Sequence, residues 1–182
     1  PVGTATLAFA SATQATFGYM VNGVSQTKQI VREQFAASMP TCTWSATANL
    51  AAATNYQDIW WVAPAGSESG WGVNFTHQGD TIFATWFTYD LDGSPLWLVV
   101  TAPKTGTGVY SGDLYRTSGA RYNAFSPASV VSSKVGTATF TFADGNNATF
   151  DYTVQLAGMG APVHQQKQIT REIFSAPGTT CK

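Results

Sequence analysis

The sequence predicts an all-β protein, an antiparallel β-barrel or β-sandwich built from hairpins. Three observations lead there. The stretch from Gly70 to Val100 holds three strand-like runs parted by two turn signals. Residues 2–42 return as residues 135–181, with three strands in each copy. Between residues 43 and 181 about eight such runs follow one another, joined mostly as hairpins.

Taken in order, the first copy has strands over Val2–Ala10, Ala15–Tyr19 and Lys28–Phe35, with Asn22-Gly23 as a tight turn. Residues 43–54, rich in Ala, Thr and Ser, form a linker that is expected to be loop. Asp58–Val62 is a strand and Pro64–Gly70 a loop. In Gly72–Gln78, Val73, Phe75 and His77 share one face, and Asn74, Thr76 and Gln78 the other. Gly79-Asp80 turns the chain, because glycine tolerates positive φ. Thr81–Tyr89 is apolar on both faces, which predicts a central strand covered on both sides. Asp90–Gly93 closes the next hairpin, and Pro95 stands at the start of the strand Leu96–Val100.

Val109–Arg116 is a further strand, and Thr117–Ser133 a long irregular loop. The second copy follows, with strands near 135–143, 148–155 and 165–174 and a turn at Asp144–Asn147. Its last strand carries Arg171 beside Glu172, a neighbour pair expected at the surface. The domain reading is therefore 1–42 as a three-strand half-repeat, 43–54 as linker, and 55–182 as the main module. Residues 1–42 read as the tail of a preceding unit, and the chain as a processed piece of something longer. Cys42 and Cys181 fall at equivalent positions of the two copies, which favours a disulfide between them over free thiols or links to other chains.

Composition narrows the function. The net charge is −1 with no basic run, so the counterion release that drives nucleic-acid binding has no source. No apolar run in these residues reaches membrane-spanning length, and none of them is expected to serve as a signal peptide. Only 10% of residues are charged, and uncharged polar residues take their place, as on many extracellular β proteins.

Motifs for chemistry are sparse. Gly66–Gly70 has the glycine spacing of a nucleophile elbow, but Glu68 stands where the serine belongs. His77 and His164 lie apart, with no Cys-x-x-Cys, so no metal site, cofactor or catalytic residue is predicted. Asp90, Asp92 and Gly93 suit a plain hairpin better than a calcium loop. Tryptophan faces stack on sugar rings, and acidic groups beside them hydrogen-bond hydroxyls. On that ground Trp60, Trp61, Glu68, Trp71, His77 and Asp80 are the candidate ligand-binding residues. Most tryptophans should fill the core; Trp71 and one of Trp60 and Trp61 are the ones expected to be exposed.

The runs Asn55–Trp61, Ser67–Gly72, Gln78–Asp90 and Leu114–Thr117 resemble a module of exported proteobacterial proteins, where it occurs in tandem or appended to larger chains. The resemblance covers 55–181. It implies an exported bacterial β module and brings no catalytic or binding residues with it. The expected function is a non-enzymatic extracellular or cell-surface module acting through binding and self-association, with copies of itself or neighbouring units as partners. The alternative is a carbohydrate-binding module. A hydrolase using Glu68 or Asp80 with His77 has no motif behind it.

Overall fold

The computed structural model describes residues 1–37, 39–44, 49–174 and 179–181, with the side chain of Trp44 left aside. It forms two compact units, residues 1–35 with 119–130, and residues 36–118 with 131–182.

The larger unit is a closed barrel of eight antiparallel strands. These are β5 (Asp58–Val62), β6 (Gly72–Gln78), β7 (Thr81–Tyr89), β8 (Pro95–Gly106), β9 (Val109–Ser118), β10 (Val131–Phe142), β11 (Asn147–Val154) and β12 (Val163–Arg171). Each pairs with the next in sequence, and β12 pairs back onto β5. The barrel is thus an up-and-down meander, and closure removes both open edges. A barrel of eight strands is just wide enough for side chains to fill. Here Trp60, Phe75, Leu98, Leu114, Phe140 and Phe150 fill it, each 2% exposed or less. The turns follow their glycines: Gly79 and Gly93 have φ of 57° and 79°. Beside the barrel, β4 (Cys42–Trp44) pairs with β13 (Thr179–Cys181), its one strand partner among the described residues, and a Cys42–Cys181 disulfide joins them.

The smaller unit is a three-stranded sheet, β1 (Gly3–Phe9), β2 (Gln14–Val21) and β3 (Val24–Val31). Asn22 and Gly23 both take positive φ, 48° and 81°, in its second turn. This sheet reproduces β10–β12 register for register. Gly3 pairs with Val21 and Gly136 with Val154, an offset of 136 − 3 = 133. Ala15 pairs with Ile30 and Ala148 with Ile169, where the β3 offset is 169 − 30 = 139. The Tyr19–Gln26 hydrogen bond recurs as Tyr152–Gln165.

Four expectations need correction. The β7 strand is not covered on both sides: Ile82, Ala84 and Trp86 are inside, but Phe83, Phe87 and Tyr89 stand on the outer wall, 36–53% exposed. A barrel strand has one face in and one out, so two apolar faces do not imply a central strand. Arg171 is not at the surface. It is 6% exposed, its guanidinium donates to the Asn55 carbonyl at 2.7 Å, and Asp58 lies 3.7 Å away. The barrel closes over it through the β12–β5 seam. The linker 43–54 is entered by strand β4, while residues 49–54 are without regular structure and 45–48 lie outside the described residues. The third strand of each copy stops early, β3 at Val31 rather than 35 and β12 at Arg171 rather than 174, and residues 175–178 also lie outside the described residues.

Candidate binding surfaces

Strand geometry decides where each candidate side chain goes. Neighbours on β5 face opposite ways. Trp60 points in, fully buried, with its indole N–H donating to the Tyr56 carbonyl at 3.1 Å. The Arg171 guanidinium lies over its ring at 5.3 Å. Trp61 points out and is half-buried. Trp71, expected as the exposed platform, is instead 5% exposed and packs on Trp86 and Phe150 inside the barrel. The period explains it: Trp71 falls on the same alternate positions as Val73, Phe75 and His77, which is the inner face.

The polar members do not meet at one site. Glu68 accepts from Lys167 at 2.6 and 2.8 Å, and that ammonium lies 5.7 Å from the Trp71 ring. Asp80 pairs with Lys104 at 3.0 Å in the turn beyond β6. His77 is 3% exposed at that same far end. It stands six residues from Trp71, about 20 Å along a strand. Its Nδ1 accepts the Tyr56 amide at 3.0 Å, so Nε2 carries the hydrogen and donates to the Gly79 carbonyl at 2.9 Å. Burial pushes the imidazole below its ordinary value, against the opposing Gly79 hydrogen bond. The result is a neutral, fully engaged histidine tying the 55–56 segment to the end of β6. Glu68 and His77 are not brought together.

A surface that sequence reasoning missed lies on the outer wall of β7 and β8. Phe87 and Trp97 are direct cross-strand partners, 41% and 57% exposed. Tyr89 stands beside them at 53%. Together with Gly70, Arg116 and Thr117 they line an open cleft of about 440 Å³. The Trp97 indole N–H donates to the Thr117 hydroxyl at 3.2 Å, which fixes the ring's orientation. A Cβ on Gly70 would meet the Tyr89 hydroxyl at 1.9 Å, so the glycine makes room for that ring. Arg116 is held by Asp90 at 2.7 Å. The signal was present in the odd-numbered aromatics of β7, once the opposite face is assigned to the core.

The second surface is the face of β1–β3 that corresponds to the inner face of β10–β12. Phe140 and Phe142 are 0% and 7% exposed, but their counterparts Leu7 and Phe9 are 54% and 74%. Ile169 is 2% exposed and its counterpart Ile30 is 37%. Toward the other end of the face, Tyr122 and Phe125 from the 119–130 segment stand over Phe17 and Tyr19. The Tyr122 hydroxyl donates to the Val21 carbonyl at 3.2 Å. An apolar hollow of about 680 Å³ remains there. No group of three or more metal-ligating side chains occurs among the described residues. No protein-family model matches this chain, and no curated protein shows significant similarity to it.

Proposed function

We propose that this protein is a non-enzymatic extracellular or cell-surface β module that acts by binding and self-association. The observation that carries this is the uncovered face of β1–β3. Leu7, Phe9 and Ile30 occupy positions that β10–β12 buries, and all three are open to solvent. An apolar sheet face whose edge strands, β1 and β3, pair with no further strand among the described residues is a template for association. The Cys42–Cys181 disulfide supports an oxidising compartment, and no described helix is long and apolar enough to cross a membrane.

The test is solution mass against concentration by light scattering, with electron microscopy of the same samples. The mass should rise above the 19.3 kDa of one chain as concentration increases. Leu7→Asp combined with Phe9→Asp should hold it at the monomer. A wild-type monomer at every concentration would sink the reading.

Carbohydrate binding is a second reading, moved from Trp71 to the outer cleft. Trp97, Phe87 and Tyr89 offer flat, exposed rings beside the Arg116 and Thr117 polar groups, the arrangement a sugar ring stacks on. Trp97→Ala should abolish retention on a glycan array while near-ultraviolet circular dichroism stays unchanged. Equal retention by the variant, or no glycan retained by the wild type, would end this reading.

A further inference from the structure

We infer that the partner of the β1–β3 face is a five-stranded antiparallel element of the β5–β9 type from a neighbouring homologous unit, and that the two close into a second eight-stranded barrel. The inference rests on the reading of β1–β3 as an association element and names what it associates with.

Apolar pattern alone would not single out this partner. The charged positions do. In the barrel, Lys167 and Arg171 of β12 serve the strands across the seam. Lys167 binds Glu68 and lies over Trp71; Arg171 binds the Asn55 carbonyl, faces Asp58 and lies over Trp60. Every one of those five partners belongs to β5, β6 or the segments flanking them. At the β3 offset of 139, the counterparts of Lys167 and Arg171 are Lys28 and Arg32. Lys28 on β3 and Arg32 just after it thus repeat, on the apolar side of the small sheet, the two cations that serve the seam of the barrel.

The edges agree. In the barrel, Ile169, Thr170 and Arg171 pair with Val62, Trp61 and Trp60. The counterparts Ile30 and Val31 lie on β3, the edge strand of the small sheet, and Arg32 follows directly. On the other side, Gly136, Ala138 and Phe140 pair with Leu114, Gly112 and Tyr110 of β9. Their counterparts Gly3, Ala5 and Leu7 form the opposite edge. Identical internal register places both edges at the spacing a β5–β9 sheet spans. The chain's own β5–β9 is already closed by β10–β12, so the complement comes from another unit. Tyr122 and Phe125 occupy one end of the face and would give way to it.

The test extends the full chain at its N-terminus with a second copy of its residues 43–134, so that this copy runs into Val2. Amide hydrogen exchange is then read in β1 and β3. Closure predicts that the edge amides of Gly3–Ala8 and Ile30–Arg32 slow by about 100-fold or more relative to the unextended chain. Lys28→Glu should reverse much of that slowing, and Glu68→Lys in the added copy should restore it. Edge amides that exchange as fast as before would overturn the inference. So would protection indifferent to both charge changes, which would mark unspecific apolar contact. Self-association of the unextended chain is scored separately. If that chain associates while the edges of the extended one stay unprotected, the association reading stands and barrel completion falls. If the edges are protected and the unextended chain is monomeric, the reverse holds.

Discussion

Phe142→Ala should lower the stability of the barrel by about 3–5 kcal/mol, and Phe9→Ala should leave it unchanged. The two residues are the same amino acid at the same register position of two copies of one sheet. They differ in what covers them. Phe142 is 7% exposed, stacks on Tyr56 with ring centroids 3.7 Å apart, and meets Trp60, Phe75 and Tyr110 edge-on. Removing it deletes the transfer free energy of a phenyl ring and opens a cavity among four aromatic neighbours that β-sheet backbone prevents from collapsing. Each lost ring pair adds a further fraction, about 0.5–1.5 kcal/mol at most. Phe9 is 74% exposed, so its loss returns little surface from protein to water.

The measurement is denaturant unfolding followed by tryptophan fluorescence. All six tryptophans lie between residues 44 and 97, in the larger unit, so the signal reports that unit alone. A midpoint shift of similar size in both variants would show that Phe9 also supports the barrel. That result would remove the contrast on which the association reading depends.

Much of this arrangement was legible in the residues. The hairpin order, the internal repeat and the turn glycines at 79 and 93 follow from period-2 alternation and from positions that need positive φ. Barrel and sandwich could not be separated, because both bury one strand face, and the choice rests on the long-range pairing of β12 with β5. The fate of the tryptophans was legible in part. Trp71 shares the parity of Val73 and Phe75 and could have been placed inside, whereas Trp97 is outside only because Leu96 and Leu98 flank it on the buried face. Arg171 was not legible as a buried cation. Its partners Asn55 and Asp58 are more than 100 positions away, and only barrel closure brings them within reach. His77 was legible as a hydrogen-bonded histidine on an apolar face, but its acceptor and donor partners were not.

The second large effect is expected at the disulfide. Replacing Cys42 and Cys181 by serine should cost up to about 5 kcal/mol, the chain-entropy value for a loop of this length. The bond spans 139 positions and encloses all eight barrel strands. β4 and β13, three residues each, pair with no other strand among the described residues, so the covalent link joins the segment entering the barrel to the one leaving it. The mechanism differs from that of Phe142→Ala, and so does the signature. A cross-link acts mainly by restricting the unfolded chain. Its removal should therefore lower the midpoint and also raise the denaturant slope, because a longer free chain exposes more surface on unfolding. Phe142→Ala should move the midpoint and leave the slope in place. A serine variant with wild-type midpoint and slope would mean that the ends of the barrel are held by pairing alone. An intact-mass measurement under oxidising conditions, about two daltons below the reduced chain, checks beforehand that the bond is formed.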